Sequence, residues 1–211
     1  MKIKDSIPAK TIERLVIYRR ELKELKANRL SHLYSHQLAE LANNTSAQVR
    51  RDLMIIGCSG GNPRNGYDIE NLIENINDIL EDKNGQKIAL VGVGNLGKAI
   101  LSYSSYRHSS LSIVAAFDVD EEIIGKSFSN CNCFHIDELK DKVRELDIEI
   151  GIITAPGQYA QQIANLMVDA GVRGILNFAP ASLNVPDNVY LDRIDITMVL
   201  DKVGYFTQNM Q

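Results

Sequence analysis

Gly92, Gly94 and Gly97 stand at G-x-G-x-x-G spacing in the stretch Gly92-Val93-Gly94-Asn95-Leu96-Gly97. An apolar run from Ile88 to Val93, interrupted only by Gly92, leads into them, and a stretch of helical character follows from Lys98. A strand–glycine turn–helix unit of this kind binds a pyrophosphate. The first glycine makes the tight turn, the second lets phosphate approach the backbone, and the third lets helix and strand pack closely. The free amides and the dipole of the helix start then face the anion. The next apolar run, Leu111 to Phe117, ends on Asp118, 21 residues past Gly97. A carboxylate there suits a ribose 2′-hydroxyl and repels a 2′-phosphate, so NAD(H) is expected over NADP(H).

A glycine turn of this type needs a parallel sheet to hold it. Ile148 to Ile153 reads as a strand ending at Thr154-Ala155-Pro156-Gly157, with a helix from Gln158 to Ala170 stopped by Gly171. Gly174 to Phe178 is another, ending at Ala179-Pro180. In an open parallel sheet ligands lie beyond the carboxyl ends of the strands. Thr154, Ala155 and Pro156, with Asn177, Phe178 and Ala179, should therefore line the same crevice as the glycines. Cys133 to Ile136 and Val189 to Leu191 are further short strands, and Ile194 to Thr207 is an amphipathic helix with Ile196, Val199, Leu200, Val203 and Phe206 on one face. A sheet already covered leaves that face for a second subunit.

Charge is distributed unevenly over the 211 residues. Residues 1–67 hold 12 Lys and Arg against 6 Asp and Glu, whereas residues 68–211 hold 11 against 21, within an overall −4. A basic head on an acidic body is the pattern of a polyanion-binding module joined to something else. In that head, Ile12, Leu15, Val16, Tyr18, Leu22 and Leu25 recur at helical spacing behind Pro8, with Ser35 as the cap of a short helix to Leu41. Asn43-Asn44 is a turn, and Thr45-Ser46-Ala47-Gln48 reads as a capping box opening a further helix to about Ile55. Val49 and Leu53 face inward, which turns Ser46, Gln48, Arg50 and Arg51 outward. Two short helices joined by a tight turn match helix-turn-helix geometry. Lys10, Arg14, Thr45, Ser46, Gln48, Arg50 and Arg51 are its candidate DNA contacts. The turn-rich Gly57 to Tyr67 is either a linker or a hairpin wing with Arg64 at its tip, the wing being the better reading directly after a helix-turn-helix. A helical bridge runs from Asp68 to Leu80.

Other chemistry is scarce. Three cysteines, an odd number, fit a reducing cytoplasm better than a disulfide framework. Cys131 and Cys133 lack a second Cys/His pair at zinc spacing, so no metal is expected. The start of the chain lacks a signal-peptide pattern, and no apolar run approaches the ~18–20 residues of a membrane span. Beyond residue 80 there is room for one nucleotide domain and none for a substrate domain. His108 and His135 read as solvated or satisfied, so catalytic residues are not expected, and the cofactor is sensed rather than consumed. The rival reading is a small NAD-dependent oxidoreductase with a helical extension.

Four stretches together resemble the Rex family of bacterial redox-sensing repressors: Gln48-Val49-Arg50-Arg51-Asp52-Leu53, Val91 to Gly97, Phe117-Asp118-Val119-Asp120, and Gly174-Ile175-Leu176-Asn177-Phe178-Ala179-Pro180. The resemblance implies an α/β chain: a winged helix-turn-helix over 1–80, a Rossmann-type NAD(H) domain over 81–192 and a dimerisation helix over 193–211 that swaps between subunits. It implies a cytoplasmic homodimer that binds palindromic operator DNA when NADH is scarce and releases it when NADH binds. It adds Val119 to the cofactor residues, and a switch made by Tyr103, Asp195 and Arg20. This chain departs from the family in its wing, which is one residue longer, and at Ile196, where some members carry an aromatic.

Overall fold

The protein is described here from a computed structural model that covers residues 7–58, 61–62, 64–81, 84–104 and 110–210. Of the positions singled out above, His108 and parts of the wing (Ser59, Gly60 and Pro63) lie outside the described residues. The chain divides into two compact units, residues 1–82 and 83–211.

The first unit is built on α1 (Ala9–Ala27), where Leu15, Tyr18 and Leu22 recur at spacings of three and four and are fully buried. They pack with Leu38 and Ala39 of α2 (Ser35–Leu41), Val49 and Leu53 of α3 (Ser46–Ile55), and Ile69, Leu72, Ile73 and Ile76 of α4 (Ile69–Leu80). Ser35 is the first helical residue rather than the cap. Tyr34 holds the cap position, and its amide donates to Gln37 Oε1 at 2.7 Å. The box at Thr45 is half formed: Thr45 Oγ1 accepts from the Gln48 amide at 3.2 Å, but the Gln48 side chain is drawn to Asp52 instead. A ribbon of β1 (His32–Leu33) and β2 (Tyr67–Asp68) pairs antiparallel, and Asp68 then caps α4 through the Asn71 amide. Asn62 and Gly66 exchange two backbone hydrogen bonds of 2.7 Å, enclosing Arg64 in an exposed hairpin turn.

The second unit is a seven-stranded sheet in the order β5-β6-β4-β3-β7-β8-β9, formed by β3 (Gln86–Val91), β4 (Leu111–Asp118), β5 (Ser127–Phe128), β6 (Cys131–His135), β7 (Ile148–Ile153), β8 (Gly174–Asn177) and β9 (Tyr190–Arg193). Every pairing is parallel except that of β5 with β6. Counted from β3, the parallel strands run 3-2-1-4-5-6, the doubly wound order that reverses between β3 and β7. Alternation along β3 supplies both cores. Ala89 and Val91 face α6 (Leu139–Glu145) and α7 (Gly157–Ala170), while Ile88 and Leu90 face the side of α5 (Asn95–Ser104) with Leu101, Cys131 and Cys133. The connection from β4 to β6 carries β5, which pairs antiparallel with β6, in place of a helix.

Because β9 continues to Arg193, α8 (Ile196–Gln208) starts two residues later than periodicity suggests. Asp195 is its cap. The stripe of Ile196, Val199, Leu200, Val203 and Phe206 is 51–63% exposed.

Candidate cofactor and nucleic-acid sites

The three glycines differ in what surrounds them. Gly92 has φ +100°, and a Cβ there would lie 2.7 Å from the Ala155 nitrogen. A Cβ on Gly97 would lie 2.1 Å from the Gly92 carbonyl oxygen, so helix and turn touch through bare backbone. Nothing stands within 4 Å of the same position on Gly94. That open space beside the first turn of α5 fits a pyrophosphate, since amides at a helix start carry unspent donors. Asn95 and Leu96 line its exposed rim, while Val93 is buried beneath it.

Asp118 closes the turn from the next strand. Its Oδ2 accepts from the Val93 amide at 2.6 Å, and its Oδ1 accepts from the Val119 and Asp120 amides at 2.7 and 3.1 Å. Three amides fix the carboxylate, yet a carboxylate has about four acceptor positions, so one is left for a ribose hydroxyl. A 2′-phosphate would meet that fixed charge. The residues present therefore fit NAD(H). The exposed Val119 side chain stands at the same end of β4.

The turn after β7 is tied to the glycines. Thr154 Oγ1 donates toward the carbonyls of Gly92 and Val91, at 2.7 and 3.1 Å, and its amide bonds Val91 O. Thr154 thus clamps the turn rather than offering its hydroxyl to a ligand, and Ala155 approaches Gly92 edge-on. Pro156 is exposed at the start of α7. Asn177, expected to face the cofactor, is buried, and its side chain organises the loop that follows β8. Its Oδ1 accepts from the Ala179 amide at 2.9 Å and its Nδ2 donates to Ala181 O at 2.9 Å. Phe178 is half-buried and Ala179 buried in that loop.

Tyr103 is exposed on the last turn of α5. Asp195 accepts from the Met198 amide at 3.1 Å and from the Arg193 guanidinium, and the Met198 bond first, then the Arg193 charge, hold its carboxyl below the usual range. Arg193 was not singled out from sequence. Arg20 bonds Glu21, its neighbour on α1, at 2.8 and 3.1 Å. Arg20 in the first unit and Asp195 in the second thus each have an ionic partner within their own unit.

In the first unit, Ser46, Arg50 and Arg51 open and line the outer side of α3. Arg50 reaches Ser35 Oγ at 3.1 Å, whereas Arg51 has no side-chain bond among the described residues. Lys10 is exposed on α1 and Arg64 at the hairpin tip, where Tyr34 Oη donates to the Arg64 carbonyl. Thr45 is used as the cap of α3. Arg14 and Gln48 are placed differently from the expected outward set. Arg14 Nε and a terminal nitrogen donate to the two oxygens of Asp52 at 2.6 and 2.7 Å, and Gln48 Nε2 donates to the same carboxylate at 2.9 Å. Asp52 falls in the inward pattern of Val49, Asp52 and Leu53, where a lone charge demands partners. The spacing of Val49, Asp52 and Leu53 in the sequence is the signal for it.

Among the described residues no three His, Cys, Asp or Glu side chains gather as a metal site. No helix of the described residues is long and apolar enough to cross a membrane.

Known proteins match this arrangement closely. Residues 6–53 match a family model described as a putative DNA-binding protein N-terminus, and residues 83–181 one described as a CoA binding domain. The redox-sensing transcriptional repressor Rex of Staphylococcus haemolyticus is 37% identical over 206 residues, 98% of this chain and 97% of the relative. That of Carboxydothermus hydrogenoformans is 42% identical over 199 residues, 94% of this chain and 95% of the relative. Among solved structures, the Rex-family repressor RSP in complex with β-NAD+ and operator DNA aligns at TM-score 0.87 with 31% identity, covering 96% of this chain and 93% of that one. RSP in complex with β-NADH aligns at 0.84, covering 97% and 95%. With relatives this similar over nearly its whole length, the chain belongs to the Rex family of redox-sensing transcriptional repressors.

Proposed function

We propose that this protein is an NADH-responsive repressor: as a cytoplasmic homodimer it binds palindromic operator DNA through residues 1–80 when NADH is low, and it lets go when NADH occupies the Gly92–Gly97 crevice. One observation carries the reading. A DNA-reading helix pair and a dinucleotide cradle stand in one chain, and RSP, 31% identical, is known with β-NADH and with β-NAD+ and operator DNA. The cofactor is a signal here, with no substrate turned over.

When bound, NADH would present a neutral dihydronicotinamide ring, where NAD+ presents a planar ring bearing one positive charge. Gly94 and the first turn of α5 would hold the pyrophosphate, Asp118 the adenosine ribose, and the loops after β7 and β8 would flank the rest. Residues 193–211 act as the dimerisation helix, swapped between subunits. This is supported by the stripe from Ile196 to Phe206, whose burial is worth about 1.5–3 kcal/mol per large side chain. Tyr103, Asp195 and Arg20 form the switch. Asp195 holds Arg193 and Arg20 holds Glu21, so engaging the switch means exchanging those partners. A ligand moves such an equilibrium only by its differential affinity, typically ~1–3 kcal/mol of coupling.

The test is a fluorescence-anisotropy titration of a palindromic duplex, selected by the full-length protein from a randomised pool, against NADH and NAD+. NADH is expected to release the duplex at concentrations where NAD+ does not. Equal effects of the two nucleotides, or oxidation of NADH with a small carbonyl compound, would refute the reading.

A further inference from the structure

Asp52 is a fully buried carboxylate on the helix assigned to DNA, yet no DNA can reach it. It gathers groups from both sides of the α1–α3 interface. From α1 come Arg14 through two nitrogens at 2.6 and 2.7 Å, the Tyr18 hydroxyl at 3.0 Å and the Thr11 hydroxyl at 3.5 Å. From α3 itself comes Gln48 Nε2 at 2.9 Å, one turn earlier. Asn44, in the turn before α3, donates to Tyr18 Oη at 3.2 Å and ties that turn to the same node. An apolar residue at this position would fill the core without the desolvation cost of a buried ion. Fold stability alone therefore does not call for a carboxylate here.

The apolar core that Leu15, Val49 and Leu53 share holds the helices together, but such packing is non-directional, so it resists separation better than rotation. Hydrogen bonds at 2.6–3.0 Å to a fixed carboxylate are directional. The difference matters at the outer side of α3. A rotation of about 20° carries a guanidinium ~8 Å from the helix axis through about 3 Å, the length of a whole hydrogen bond. We propose that Asp52 is the positioning residue of the DNA-reading helix: it fixes the rotational setting of α3 on α1, and through that setting the register of Arg50, Arg51 and Gln48 on the bases. An ionised carboxylate only accepts hydrogen bonds, so it also fixes which end of the Gln48 amide faces it. The NH2 group turns inward and Oε1 is left to accept from an exocyclic amino group of adenine or cytosine.

The inference rests on the DNA-reading role proposed above, and the experiment separates the two. Full-length wild type, Tyr18→Phe and the double variant Arg14→Met/Asp52→Leu are compared for affinity to the pool-selected duplex and to a scrambled duplex of equal length. Thermal melting and NADH binding report folding. The double variant replaces the ion pair with apolar volume, a change that is often neutral or stabilising. Loss of a phosphate contact from Arg14 would weaken both duplexes alike, so the ratio is the informative quantity. The selected-to-scrambled affinity ratio is expected to fall at least about fivefold in both variants, with melting and NADH binding near wild type. A smaller fall in folded protein overturns the positioning role. If the double variant does not fold, Tyr18→Phe decides alone. If wild type itself prefers no duplex from the pool, the DNA-reading role fails and the positioning role with it.

Discussion

Asp118 shows how much a single side chain can decide when backbone fixes it. With three amides holding its carboxylate, it cannot swing away from a 2′-phosphate. NADPH is therefore expected to bind ten- to a hundredfold more weakly than NADH, about 1.4–2.8 kcal/mol, and Asp118→Ala to narrow the gap; calorimetric titration with both nucleotides checks it. Asp52 has the opposite surroundings. Burial pushes its carboxyl up, and the Arg14, Gln48 and Tyr18 bonds more than reverse this, leaving it below the usual carboxylate range. A depressed folded value contributes stability above the unfolded value of about 4 and loses it as pH falls through the lower folded one. Stability of the first unit should thus decline below pH ~4, with Asp52→Asn flattening that limb in a pH series of denaturant melts. The thiols supply a third case. Burial, helped by Cys133 at Cys131 and by Asp118 at Cys133, pushes both thiols up to about 11, while Cys58 is only half-buried. Disulfide reagents at neutral pH should modify Cys58 first and reach the other two only on unfolding, as mass spectrometry of peptides would show.

At the scale of elements, much is legible in the sequence alone. Short apolar runs marked β7 and the strand before the glycines, and the glycine spacing marked the turn, because both patterns are local. What escaped was tertiary. Ser35 looked like a cap because caps are short and polar, but the ribbon from β1 to β2 sets where α2 begins, and Tyr34 falls at its start. Gln48 looked like half of a capping box, and no local rule announces that a carboxylate four residues on takes its amide. Thr154 and Asn177 follow or end β7 and β8, and their polar atoms are used in holding loops. Arg51 is the arginine of α3 without a side-chain partner among the described residues. Arg51→Ala should cost about 1–3 kcal/mol of operator affinity while leaving NADH binding unchanged, measured by anisotropy and calorimetry side by side. Gly97→Ala should abolish nucleotide binding more completely than Gly94→Ala. The first forces backbone apart at 2.1 Å; the second only fills space.

The whole molecule presents α8 as a helix with no buried residue of its own. Gly204 weakens it by about 1 kcal/mol relative to alanine, so its order depends on what it packs against. Truncation after Asp192 is expected to give monomers in sedimentation velocity; a truncated chain that stays dimeric would exclude the swap. The melting midpoint of the full chain should rise with protein concentration, because association stabilises by mass action. That exposed stripe also has a genetic consequence. If subunits find one another through α8, a copy disarmed only at Arg51 keeps its stripe and enters mixed pairs with normal copies. Each mixed pair then carries one sound reading head against a palindrome that needs two. Such an allele, expressed beside the normal one, should derepress target genes dominantly, and deleting residues 193–211 from the disarmed copy should make it recessive.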